Sequence, residues 1–303
     1  MKEITDYSKV FETMVEKTAK YLVDNNIKAQ ILGISGGIDS TVCAAICHEV
    51  SKKTGIPLIG RSLPTKHNKE GETNTADLVG KAFCDDFQAI NIHNMYNRLA
   101  VDITVAENGM IDNPKYPQTK LANGNIQARL RMIYLYNLAS IYKGLVIDTD
   151  NLTEHNLGYW TIHGDVGDFN PIGGFWKTEV FELAAWLASE YYPKQYTYKD
   201  AVLDQPVFAK IHAITESLKL KPTAGLGITN NDLEELGAES YDQVDAILQE
   251  ILAWKSITLE SSWNLKNFLD DQQMLNIPIE IIKAVAERHF KSEFKRKHLP
   301  IVL

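Results

Sequence analysis

The amino-acid sequence predicts an α/β fold: a doubly wound, mainly parallel sheet flanked by helices, with helical additions toward the C-terminal end. Two observations carry this. Short apolar runs alternate with stretches of helical periodicity over the first two thirds of the chain, the pattern of βαβ units. A serine- and glycine-rich turn, Ser35-Gly36-Gly37-Ile38-Asp39-Ser40, joins the first apolar run directly to a helix. Ligands of such sheets bind at the carboxyl ends of the strands, so this turn is the first candidate site.

The elements follow in order. Residues 7–25 place Val10, Phe11, Met14, Val15, Ala19 and Leu22 at helical spacing. Residues 29–34 form a short apolar strand that includes Gly33 and Ile34. Behind the turn, Val42, Ala45, Ile46 and Val50 mark one helical face, and Gly55 closes that helix. A strand is expected over 57–63, a helix over 73–83 and a strand over 87–92. A long helix over 126–142, a strand over 144–148 and a helix over 177–190 complete the alternation. The last helix buries Val180, Phe181, Ala184, Leu187 and Ala188. Residues 63–73 and 192–227 are irregular, the second with a helical stretch over 207–218. Each reads either as a cover over a site or as a surface insertion. Residues 231–303 are mainly helical. No linker interrupts the chain, so residues 1–303 are expected to form a single domain.

Composition narrows the function. The 303 residues carry 31 Lys and Arg against 39 Asp and Glu, a formal charge of −8. That balance gives no support to general nucleic-acid or anionic-membrane binding, though it permits a local basic pocket. A hydrophobic share of 45% with 23% charged residues is ordinary for a globular protein and argues against disorder. No apolar stretch approaches the ~20 residues of a membrane span. The first residues lack the apolar run of a signal peptide. Cys43, Cys47 and Cys84 are odd in number and lack metal-type spacing, so they are expected to be inert core thiols in a reducing cytoplasm.

The turn at Ser35–Ser40 has a chemistry of its own. A strand, a glycine pair and a helix start place backbone N–H groups around an anion. The glycines allow phosphate oxygens to approach the main chain, and Ser35 and Ser40 add hydroxyl donors. Asp39 beside a phosphate is unfavourable unless a cation such as magnesium mediates. The competing reading is a plain turn in which Asp39 or Ser40 caps the helix. The loop lacks the Gly-Lys-Ser/Thr ending of a Walker A motif and is not GxGxxG, which weakens a hydride-transfer reading.

This turn resembles the SGGxDS pyrophosphate loop of the ATP pyrophosphatases, which include NAD, GMP and asparagine synthetases and some tRNA-modifying enzymes. Further segments resemble the ammonia-dependent NAD synthetases in particular. Gly124-Asn125-Ile126-Gln127-Ala128-Arg129-Leu130-Arg131-Met132 is similar to their GNxxARxRM. Asp148-Thr149-Asp150-Asn151-Leu152-Thr153-Glu154 is similar to GT(D/N)xxE. Gly164-Asp165-Val166-Gly167-Asp168-Phe169-Asn170-Pro171-Ile172 resembles GDGGxDxNPI, one residue shorter. The runs from Lys177-Thr178 to Leu183-Ala184, Pro222-Thr223-Ala224 with Leu236-Gly237, and the basic Lys295-Arg296-Lys297 match in the same order.

The resemblance implies an adenine nucleotide α-hydrolase-like fold and a ligase. ATP adenylates the nicotinate carboxylate of deamido-NAD, pyrophosphate leaves, and ammonia displaces AMP. It also implies site residues. Gly33, Ile34, Ser35, Gly36, Gly37, Ile38, Asp39, Ser40, Thr149, Lys177 and Thr223 would bind ATP. Asp39 and Glu154 would bind Mg²⁺. Arg129, Asp168 and Lys295 would hold deamido-NAD, and Asp165 would serve the ammonia. Asp39, Asp165 and Lys177 are the expected catalytic set. A lysine at a helix start opposes the helix dipole, which favours a phosphate partner for Lys177.

Three departures concern the acceptor: Ile162 and Phe294 stand where the family carries Lys and His, and Leu121 where an aromatic residue is common. His163 and Arg131 are available substitutes, and a smaller acceptor such as nicotinate mononucleotide is the alternative. A non-catalytic nucleotide-binding module is the remaining reading. Only 34 residues precede Ser35, too few for a glutaminase domain, so ammonia is expected free or from a separate protein. A homodimer is expected, with Tyr134 and Tyr136 as candidate contacts. No nucleic-acid or membrane partner is expected.

Overall fold

The structure is a computed structural model and describes residues 6–66, 68–106, 119–195, 205–221, 232–271 and 276–296. Four parallel strands lie at its centre: β1 (Gln30–Gly33), β2 (Leu58–Ser62), β3 (Asp86–Ala89) and β4 (Leu145–Ile147), in the order β3-β2-β1-β4. Ile31 lies opposite both Ile59 of β2 and Val146 of β4. A parallel bridge from Ile147 to Phe169 extends the sheet past β4.

Alternate residues of a strand face opposite sides of a sheet, and β1 shows both cores. Leu32 joins a cluster with α1 (Tyr7–Asp24), α2 (Ile38–Thr54), α3 (Glu70–Phe83), α7 (Lys177–Trp186) and α8 (Gln205–Lys219). Ile31 joins a second cluster with α4 (His93–Ala106) and α5 (Thr119–Tyr142). Helices therefore cover both faces, and the sheet is doubly wound. The strand order reverses between β1 and β4, and the crevice of such sheets opens at that point.

A third core belongs to the C-terminal helices: α9 (Asp232–Leu236), α10 (Tyr241–Ile257), α11 (Leu265–Asp271), α12 (Ile279–Lys291) and α13 (Glu293–Arg296). Val244, Leu248, Ile251, Phe268, Val285 and Ala286 fill it, together with Leu157 of α6 (Leu152–Leu157). Helix α6 thus links this lobe to the end of β4. Among the described residues no helix is long and apolar enough to cross a membrane.

Several boundaries differ from the sequence reading. The helix expected at 126 starts at Thr119, because the sequence before Ile126 shows no apolar stripe, and its Leu121 is 46% exposed. Helix α3 starts at Glu70, which shortens the expected loop over 63–73. The helix from Lys177 becomes a π-helical turn over Leu187–Tyr191. The helical stretch expected over 207–218 is α8, which runs slightly longer, from Gln205 to Lys219, and its Val207, Ala213 and Ile214 belong to the main core. Helix α4 had no counterpart in the sequence reading. It exposes Met95, Leu99 and Val101 and buries Tyr96, so its apolar residues mark no single face.

Candidate active site

The turn after β1 brings a glycine pair and the start of α2 together. Gly36 has φ +87°, and a Cβ there would lie 2.4 Å from the Glu72 carbonyl oxygen of α3. Only glycine satisfies both demands. From the other side, the buried Ser217 hydroxyl of α8 donates to the Gly36 carbonyl at 2.8 Å. The Ser35 hydroxyl accepts from Gly37 N–H at 3.2 Å and pairs with Ser40 Oγ at 3.0 Å. Gly37 caps α2 without a side-chain acceptor, which leaves the helix N-terminus facing a cleft. Gly33, Ile34, Ser35, Gly37, Ile38 and Asp39 line that cleft, while Gly36 and Ser40 buttress the turn.

Asp39 enters the cleft from the first turn of α2, and Glu154 from α6, beyond β4. The buried Lys177 ammonium donates to both, to Asp39 Oδ2 at 2.5 Å and Glu154 Oε1 at 2.9 Å. Burial works against a charged lysine, but the two carboxylates outweigh it and hold Lys177 well above the ordinary lysine range. Burial also pushes Glu154 up to about 7, with the Asp39 charge adding to it and Lys177 opposing. Thr149 lines the same cleft.

Sequence reasoning missed the residue that aligns the two acids. Asn151 accepts from Glu154 N–H at 3.0 Å, receives Glu154 Oε2 on its own N–H, and donates its amide to Asp39 Oδ1 at 2.9 Å. The signal was present as a capping box, Asn followed three residues later by Glu. Arg61 was missed as well. It is 3% exposed, lies at the end of β2, pairs with Asp86 at 2.8 Å and lines the cleft. Arg131, named only as a substitute, also lines the cleft and ties Leu63 O and Asn68 Oδ1 to α5. Asp165 lies in the cleft, accepts from Thr161 N–H at 2.6 Å, and is raised by burial.

The residues expected to hold the acceptor do not converge. Arg129 is exposed and donates to Ile162 O at 3.0 Å. Asp168 is exposed and accepts from Tyr136 OH at 3.0 Å and Val146 N–H at 3.1 Å. Lys295 donates to Gly158 O and Trp160 O. None of the three lines the cleft. Ile162 is half-buried, Phe294 is 52% exposed, and His163 is exposed at φ +52° outside the cleft. Thr223 lies outside the described residues. Of the two candidate contact residues, Tyr134 is half-buried against its own chain's second core and Tyr136 is 37% exposed, whereas Ile133 and Ile141 of α5 are each 64% exposed. Cys43 and Cys47 are buried and burial raises their thiols; burial likewise pushes Cys84 up to about 12.

The arrangement combines a glycine turn at an open helix N-terminus, two convergent carboxylates and a buried cation at a topological switch point. A family model described as NAD synthase matches residues 10–299. The NH(3)-dependent NAD(+) synthetase of Thermoplasma volcanium is 30% identical over 81% of this chain and 85% of its own length. The protein of that name from Methanosarcina acetivorans is 30% identical over 98% of each chain. In structure, the NMN synthetase from Francisella tularensis superposes with a TM-score of 0.69 at 24% identity, covering 98% of each chain, a likeness of fold.

Proposed function

The chain belongs to the NAD synthase family, ligases that form a carbon–nitrogen bond with ATP as substrate, and on that premise we propose that it amidates deamido-NAD with free ammonia, releasing AMP and pyrophosphate. The observation that carries this is Lys177 held between Asp39 and Glu154 beside the open N-terminus of α2. The turn Ser35–Ser40 and the α2 amides bind the departing pyrophosphate. Lys177 contacts the phosphates, Arg61 and Thr149 line the nucleotide's path, and Thr223 completes the ATP contacts. The nicotinate carboxylate oxygen attacks the α-phosphorus and pyrophosphate leaves. Ammonia then attacks the acyl carbon, and AMP departs. Asp165 takes the proton that ammonia loses, a role favoured by its raised proton affinity.

Magnesium fits the donor set. Asp39 and Glu154 present hard oxygens to one point, and among the described residues no third ligand-type side chain closes a protein-only cage. Mg²⁺ is commonly held by one or two carboxylates together with substrate phosphates. When bound it neutralises triphosphate charge.

The acceptor residues Arg129, Asp168 and Lys295 do not line the cleft of their own chain, and α5, which carries Arg129, also exposes Ile133 and Ile141. We therefore infer a homodimer in which a second copy packs on α5 and brings these residues toward the cleft. Buried or half-buried free thiols suit a cytoplasmic setting. A nicotinate mononucleotide acceptor is the second reading, favoured by Ile162, Leu121 and Phe294.

An AMP-release assay with ATP, ammonium and a panel of pyridine nucleotides tests the proposal. Turnover with deamido-NAD and ammonium, and none with ammonia-free glutamine, is expected. A tenfold or greater preference for nicotinate mononucleotide at limiting concentration would replace the primary substrate with the second reading. Absence of AMP release with every acceptor would overturn both.

A further inference from the structure

Lys177 occupies the first position of α7, where the helix dipole disfavours a cation and burial adds to the cost. Its place depends on how that helix start is held. The N-cap residue is Trp176, whose indole accepts no hydrogen bond. The first two N–H groups of α7 are taken instead by side chains of two other helices. Lys177 N–H donates to Thr153 Oγ1 of α6 at 2.8 Å. Thr178 N–H donates to Asp245 Oδ2 of α10 at 3.0 Å. Thr153 in turn donates its hydroxyl proton to Asp245 Oδ1 at 2.5 Å.

Asp245 is 1% exposed and Thr153 is fully buried, so water does not substitute for any of these bonds. A hydroxyl has one proton. With it committed to Asp245, the Thr153 lone pairs face the Lys177 N–H. The carboxylate thereby sets the polarity of the whole chain of bonds, and its negative charge suits the positive end of the α7 dipole. Thr153 also immediately precedes Glu154, so one carboxylate of the C-terminal lobe fixes the backbone beneath both Lys177 and Glu154. Tyr241, one turn earlier on α10, places its ring 5.8 Å from the Lys177 ammonium.

We propose that Asp245 is a positioning residue that acts through Thr153 to hold Lys177 in register with the phosphates, so that the C-terminal lobe sets the geometry of the nucleotide site. This rests on the reading of Lys177 as a phosphate contact. Displacing a reacting group's partner by about 1 Å costs on the order of 100-fold in rate, so a loosened helix start appears in turnover and not only in stability.

The test uses the whole enzyme. Asp245→Asn removes the charge at constant shape, Thr153→Val removes the hydroxyl, and Thr153→Ser restores it. AMP release is measured per folded protein, well below each variant's Tm. Asp245→Asn and Thr153→Val are expected to lower kcat by ~10-fold or more. The KM for deamido-NAD is expected to stay within about twofold, and Thr153→Ser to recover most of the rate. A lowered Tm with native kcat in either variant overturns the proposal, because a purely structural cap behaves that way. Failure of Thr153→Ser to rescue overturns it too. If Asp245→Asn does not fold, the two Thr153 variants decide alone. Lys177→Met separates the two failures: full activity there removes the phosphate reading itself. An inactive Lys177→Met beside native Asp245→Asn and Thr153→Val removes only the positioning role.

Discussion

The two ends of the cleft are built differently. At the nucleotide end, Asp39, Asn151, Glu154 and Lys177 come from three separate segments, yet hydrogen bonds no longer than 3.0 Å join them into one cluster. The residues expected to hold the acceptor, Arg129, Asp168 and Lys295, instead each bond a nearby backbone group or tyrosine and do not line the cleft. The difference teaches which contacts a single fold can complete. Loops at the ends of adjacent strands are held together by the sheet itself. Groups on an outer helix face need a second surface before they enclose anything.

The largest expected effect breaks the nucleotide end. Asp39→Asn should lower AMP release per folded protein by ~100-fold or more, because it removes a carboxylate proposed to act at the phosphates and one of the two that hold the buried Lys177. An active, folded Asp39→Asn enzyme would remove that end's special status.

Arg129→Ala should act on the other end alone. Losing a charge-assisted hydrogen bond costs about 1.5–3 kcal/mol, or ~10- to 150-fold in affinity. The KM for the pyridine nucleotide should rise accordingly while that for ATP stays level. Equal rises in both would erase the distinction between the two ends.

Ile141→Asp should produce a smaller loss by way of assembly. A charge on an α5 position that is 64% exposed leaves the isolated chain folded but opposes burial against a second copy. Sedimentation should show monomer at micromolar concentration, with a raised KM for the pyridine nucleotide. A native chain that is already an active monomer would defeat the dimer.

The smallest effect concerns pH, and here the cleft and the C-terminal lobe have opposite signs. Glu154 is pushed up to about 7, so between its unfolded value and 7 the folded chain binds the extra proton, and stability falls as pH rises through that window. His289 is 1% exposed, with its ring bonded to Asn156 O at 3.0 Å; burial and nearby cations lower it to about 3. Between about 3 and its unfolded value near 6.5 the unfolded chain binds the extra proton, so that stability is lost as pH falls. Each slope is at most about 1.4 kcal/mol per pH unit. Melting curves at pH 5 and 7.5 should show Glu154→Gln relatively less stable at pH 5 than the native chain, and His289→Gln relatively more. Parallel shifts in both variants would contradict these assignments.

The sequence exposed what is local. Strands at 29–34, 57–63 and 144–148, the glycine turn, and the motifs holding Glu154 and Lys177 each announce themselves within about ten residues. What it hid is relational. Asn151 meets Asp39 across 112 residues, and Thr178 meets Asp245 across 67, with no periodicity to link either pair. Helix α4 was silent because its apolar residues are largely exposed. Arg61 belongs to no motif in the sequence, and only the sheet shows it buried against Asp86 at the cleft wall. The placement of Arg129 and Asp168 outside the cleft was equally illegible, since a motif names residues without saying which way they face.

The reversal of strand order between β1 and β4 has a consequence for how the chain comes into being. Strand β1 pairs with β2 almost at once, but its other edge waits until β4 is made, more than a hundred residues later. Closing so long a loop is slow, and an open edge of Gln30, Ile31 and Leu32 is a template for wrong pairing. Asp39 and Glu154 therefore acquire a common neighbourhood only after about half the polypeptide has left the ribosome. A nascent chain halted before Leu145 should expose that edge to chaperones and aggregate when released without them, whereas one halted after Trp186 should not. Solubility of ribosome-stalled chains of the two lengths would reveal this, and equal solubility would show that β1 is sheltered by other means.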